Sequence, residues 1–252
     1  MKKLLNILLL TLFFTHIVYP STRGDVKIIE STEKIRFLGQ KISKEYLYLY
    51  EDPNNLKIKE RLLNDIELLD DAIHDIAMTT KSSDSKDILD YLVFNKNEIK
   101  NLINAPYSTD YARTMLDYSE SFLEGANSIE KTHQYQFSYE EKMLMLMKDM
   151  TYLLERVSKY YVAIHLNLDV VTNELQMKKT IQKIESTLGS INYYTYPSEY
   201  AKKLEKINNA WRVHKNFLNR SKTLYVPNLL QISIVNLEKI IESISFYHKK
   251  NQ

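Results

Sequence analysis

Four glycines and five prolines are all that this chain of 252 residues carries, where average usage would supply about thirty. Sheets and irregular folds turn often and need those two residues to do it. A chain so poor in both is built from a few long helices. Neither residue occurs between Gly125 and Gly189, so the fourth and fifth helices are expected to run nearly into one another. Hydrophobic residues make up 44% and charged residues 26%, which excludes a disordered chain and a polytopic membrane protein. The absence of cysteine removes disulfide scaffolds, thiolate metal sites, a cysteine nucleophile and a lipoprotein anchor.

Residues 1–20 place Lys2 and Lys3 before an apolar run that ends at Pro20. That is the layout of a secretory signal, and the run is short for a membrane span. We expect residues 1–24 to be a signal peptide and the remainder to be periplasmic or secreted. The alternative is an uncleaved N-terminal anchor in the inner membrane. With Lys2, Lys3 and Arg23 inside the leader, the formal net charge of +2 becomes −1. No global basic field suits a nucleic-acid partner.

The rest of the chain repeats itself. A shift of 115 residues lays 35–50 on 150–165 without a gap, with Leu38 on Leu153, Ser43 on Ser158, Lys44 on Lys159 and Tyr46 on Tyr161. The same shift pairs Leu62 with Met177, Ile66 with Ile181, Leu69 with Ile184, Ile73 with Leu188 and Ile76 with Ile191. It then pairs Met115 with Leu230, Phe122 with Leu237 and Ile129 with Ile244, while a small slip pairs Leu92 with Leu204 and Ile99 with Trp211. Apolar residues at helical spacing define four helices in each half. In the first half Ile28, Ile35, Leu38, Ile42 and Leu49 form the leading stripe. Breaks follow at 51–54 and 81–84, and at Ala105-Pro106, where the residue before proline leaves the helical region. In the second half the helices fall near 139–167, 170–194, 198–219 and 226–248. Ser138 and Glu141 form a capping box, and Pro197 and Pro227 stand at helix starts. The expected fold is all-α, two consecutive four-helix bundles formed by an internal repeat, over 25–137 and 138–252.

The chemistry-bearing residues are sparse. His74, His133, His165, His214 and His248 include no pair at i, i+3 or i+4, so no metal site is expected. There is no nucleophile elbow and no glycine-rich phosphate loop, so the chain is not expected to be an enzyme or to hold a cofactor. The tyrosines Tyr193, Tyr194, Tyr196 and Tyr200, and the methionines Met143, Met147 and Met150 on one helix face, read as packing or as a partner-docking surface.

Residues 30–47, ESTEKIRFLGQKISKEYL, carry a more specific pattern. The segment resembles the opening helix of the PilJ-type sensory domain of type IV pilus chemotaxis transducers, and is similar to the periplasmic domain of nitrate/nitrite sensor kinases. Arg36, Leu38, Gln40 and Lys44 match the family motif, Lys41 and Ile42 are conservative, and Thr32 and Glu33 stand where alanine and glycine are expected. The resemblance implies two tandem copies and a small-anion site at the helix arginine, which in the nitrate sensors lies at a dimer interface. The ligand-binding residues it implies here are Arg36 and Gln40, with Lys41 and Lys44 adding positive potential, and a weak homodimer through the first helix. Arg36 and Gln40 are i, i+4 neighbours beside the apolar stripe, and a guanidinium fork suits nitrate, carboxylate or phosphate. In the second half Thr151 takes the place of Arg36, so that half lacks the donor. The function this supports is an exported sensory-type ligand-binding module with no transmitter of its own, docking on an envelope or membrane protein. The alternative is a structural or adaptor protein of the envelope that binds no small ligand.

Overall fold

The computed structural model describes residues 23–133 and 135–252. They form eight helices and, among the described residues, no strand. We number them α1 (Arg23–Glu51), α2 (Leu56–Thr79), α3 (Ser83–Asn104), α4 (Thr109–Thr132), α5 (Tyr139–His165), α6 (Val170–Asn192), α7 (Ser198–Leu218) and α8 (Pro227–Lys250). The expected leader lies outside the described residues except for Arg23 and Gly24, which open α1. Among the described residues no helix is long and apolar enough to cross a membrane.

Side-chain caps start the helices. Asn55, Ser82 and Ser108 accept from the backbone N–H three residues on, which satisfies a donor that the first turn cannot pair internally. Ser138 and Glu141 form the full capping box at α5. Pro227 sits in the first turn of α8, where its missing N–H costs nothing. The turn from α5 to α6 takes Asn167 and Asp169 through positive φ, 57° and 36°, a conformation that short polar side chains tolerate.

The two longest helices form the axis of the molecule. In the first half α1 packs on α2 and α4, and α3 packs on α4 and α2. In the second, α5 packs on α6 and α8, and α7 packs on α8 and lightly on α6. Each half thus has the same scheme of neighbours, and α1 lies along α5 to join them. Every apolar pair that the sequence shift defines is buried on both sides, from Leu38 with Leu153 to Ile129 with Ile244. One cluster of buried apolar side chains runs through both halves, from Ile28 to Ile244.

Two features differ from the sequence reading. First, α4 and α5 are not continuous, since α4 ends at Thr132 and α5 begins at Tyr139. Side chains make the break without glycine or proline. The His133 ring bonds Asp25 through Nδ1 at 3.0 Å and Thr80 through Nε2 at 3.2 Å. Tyr135 donates to Glu141, which also accepts from the Ser138 N–H. Second, α1 and α5 are buried almost all round in their C-terminal halves, over 42–49 and 157–164. Three neighbours surround each helix, so residues beside the stripe face other helices of the same chain. Close approach needs Gly39: a Cβ there would lie 2.8 Å from the Phe122 Cβ of α4.

Candidate functional site

Arg36 sits where α1 meets α4 and α5, and it is 5% exposed. Its Nε donates to Asn127 Oδ1 at 2.7 Å. Its two terminal nitrogens donate to Glu33 and to Glu130, one carboxylate on each. A crevice of about 290 Å³ opens beside it, lined also by Asp149, Tyr152 and Lys183. Burial pushes Glu33 up to about 8 in spite of Arg36, and burial likewise raises Asp149. Burial opposes the Arg36 charge, but Glu33 and Glu130 outweigh it and hold its pKa above the usual value. The planar fork that suits an external anion is already filled from within, and three carboxyl groups line the crevice against two cations.

The other residues singled out in the sequence are not gathered around Arg36. Gln40 is fully buried and donates to the Ser119 carbonyl at 2.9 Å. Lys41 pairs with Asp65 of α2 at 2.8 Å. Lys44 is buried and pairs with Glu155 of α5 at 2.5 Å. Arg36 therefore borders a crevice, while Gln40 and Lys44 are internal struts and Lys41 is an α1–α2 tie.

The sequence reading missed what those struts build, a layer of buried charge across the α1–α5 contact. Lys44 and Lys159 occupy equivalent places in the repeat, as do Gln40 and Glu155. Lys159 is fully buried and donates to Ser119 Oγ at 2.6 Å and Glu120 Oε1 at 2.7 Å. Burial brings the Lys159 pKa down to about 8, with Glu120 offsetting part of the effect. Burial opposes the charge of Lys44 too, but Glu155 and Glu238 together hold its pKa above the usual lysine value. Glu238 is pushed up to about 9, first by burial and then by the neighbouring Glu155. The available signal was the Ser-Lys pair at 43–44 and again at 158–159, each directly after a core residue, Ile42 and Val157.

A second crevice, of about 500 Å³, opens where α5 meets α1 and α8. Its lining is the repeat counterpart of the first. Glu33, Arg36, Asn127 and Glu130 become Lys148, Thr151, Glu242 and Ser245 under the 115-residue shift, and Tyr152 becomes Phe37. The two crevices therefore flank the α1–α5 pair in equivalent positions with different chemistry.

The remaining candidates are structural. Met143, Met147 and Met150 are core residues. Tyr194 and Tyr196 pack against Tyr247 and His248 at the end of α8. His248 is fully buried, bonded to Tyr196 at 2.8 Å and to Glu140 at 2.7 Å, and so ties the end of α8 to the start of α5. Among the described residues no group of three histidine, aspartate or glutamate side chains could hold a metal ion. Comparison with protein-family models, with curated proteins and with solved structures finds no match for this chain.

Proposed function

We propose that this chain is a non-catalytic, exported ligand-binding module of the sensory type, which takes a small charged ligand and passes its state to an envelope partner. The observation that carries the reading is the pair of equivalent crevices on either side of the α1–α5 contact. Each is lined by both central helices, and each lies beside a buried ionic layer. A ligand that binds one arrangement of the two halves better than another shifts their equilibrium by that difference in affinity. The resemblance of residues 30–47 to the PilJ-type opening helix points the same way, and in this reading the two halves are tandem copies. The Arg36 crevice is the poorer place for an anion, because Glu33 and Glu130 already hold the guanidinium.

The second reading, an adaptor with no small ligand, draws on α8. Leu229, Ile232 and Val235 follow one another at intervals of three on its exposed side, a row that another helix could cover. Thermal unfolding in the presence of inorganic anions, organic carboxylates and amines separates the two. A ligand that binds only the native state at a hundred times its Kd adds about 2.7 kcal/mol of stability, enough to move the midpoint by several degrees. We expect at least one compound to do so. A flat response to all three classes would leave the adaptor.

A further inference from the structure

We propose that the crevice between α1, α5 and α8 is a binding site for a small organic monocarboxylate with an apolar body, anchored by Lys148. The inference rests on the reading of the chain as a ligand-binding module and names the site and the class of ligand.

The first crevice supplies an internal control for the second. There the cation is Arg36, and the acceptors that satisfy it, Glu33 and Glu130, come from the chain itself. At the equivalent places in the second crevice both carboxylates are gone. Lys148 stands for Glu33 and Ser245 for Glu130. Lys148 thus puts a cation where the first crevice has Glu33, while Glu242 takes the place of Asn127, so the wall has changed its charges and not simply lost them. Among the described residues the Lys148 ammonium has no hydrogen-bond or ion-pair partner, although its side chain is only partly exposed. Burial accordingly lowers its pKa, with Glu30 and Glu33 offsetting part of the effect. An unpaired ammonium withdrawn from water is costly, and a bound carboxylate would remove the cost. The nearby hydroxyls are engaged elsewhere, Thr151 with the Lys148 carbonyl and Ser245 with the Ile241 carbonyl.

The rest of the lining narrows the class. Lys239 adds a second cation at the rim, where the first half has Glu124. Glu238 and Glu242 also line the crevice. Glu242 opposes a second negative charge on the ligand, so one carboxylate fits and a dicarboxylate or sulfate does not. Phe37 and Val235 supply apolar wall, which a bare inorganic ion such as nitrate cannot use. A volume of about 500 Å³ suits a molecule of a few carbon atoms up to the size of an amino acid.

The test uses the full chain at pH 7 with three probes: 4-methylpentanoate, the matched amine 3-methylbutylamine, and sodium nitrate. Calorimetry should detect binding of 4-methylpentanoate and none of the amine. Lys148→Met should weaken that binding at least tenfold without lowering the melting temperature, because it removes an unpaired charge from a partly buried place. Ser245→Glu should also abolish binding, and should raise the melting temperature by giving Lys148 an internal partner like that of Arg36. No binding of 4-methylpentanoate, or equal affinity in Lys148→Met, would overturn the proposal. Nitrate binding that is unaffected by Lys148→Met would overturn it as well, while leaving the chain a ligand-binding module.

Discussion

At Glu33 two demands meet on one side chain. It accepts from Arg36, yet it is nearly fully buried, and burial pushes its pKa up to about 8 from the ordinary 4.5. The native chain therefore keeps a proton that the unfolded chain releases. Stability that rests on a raised carboxyl pKa is complete below about pH 4.5 and is lost as pH rises through about 8. Glutamine at this position offers a similar carbonyl to Arg36 and does not titrate. Between pH 5 and pH 9 the urea midpoint of the wild type should therefore fall relative to that of Glu33→Gln. Parallel midpoints across that range would show that Glu33 is an ordinary carboxylate held by the arginine. The same logic separates the two central lysines. Lys44 lies among carboxyl groups that outweigh its burial, whereas Lys159, with Glu120 as its chief partner, does not recover its usual pKa.

Two helical glycines, Gly39 and Gly189, differ in what packs against them. Gly39 lets α1 approach α4 so closely that an added Cβ would meet the Phe122 Cβ at 2.8 Å, an atom that moves only with its backbone. Gly39→Ala should cost about 1–3 kcal/mol, as overpacking does. Gly189 on α6 has nothing within 4 Å of the same added atom. Gly189→Ala should stabilise by about 0.5–1 kcal/mol, since alanine loses less backbone entropy in a helix. Denaturant midpoints moving in the same direction for both would refute the packing described for α1 and α4. The helices themselves were legible in the sequence, because a stripe such as Ile28, Ile35 and Ile42 needs only local spacing to be read. The cap at Ser138 and the helix start at Pro227 were legible for the same reason. The gap between α4 and α5 was not, because His133 bonds Asp25 of α1 and Thr80 just past the end of α2, both distant in sequence. The site was legible only in part. The position of Arg36 beside the stripe follows from spacing, but its partner Glu130 lies 94 residues away. On sequence grounds the row beside the apolar stripe suits a contact with a second chain, but α1 is surrounded by three helices of its own chain, and the row faces those.

On the scale of the molecule, the α1–α5 contact decides whether the halves are two units or one. It carries apolar packing and the buried Lys44–Glu155 pair, both of whose side chains are at most 2% exposed. Removing one partner of such a pair typically costs about 3–5 kcal/mol, because the other charge is left stranded. That is a large share of the roughly 5–15 kcal/mol that holds a domain together. Opening one half alone should therefore be costly, and the chain should unfold in one step. The lone tryptophan makes this measurable, since Trp211 lies on α7 and is buried in the second half only. Its fluorescence reports that half, while far-ultraviolet circular dichroism reports the helices of both. In urea the two signals should change with the same midpoint and slope, the mark of a two-state transition. A segment of residues 25–137 alone should fail to fold as a monomer, because it uncovers the face of α1 that α5 covers and leaves Lys44 without Glu155. Two separated transitions, or a cooperative monomer from that segment, would mean that the halves are independent bundles that merely touch. A ligand in either crevice would then have no route through the α1–α5 contact to the other half.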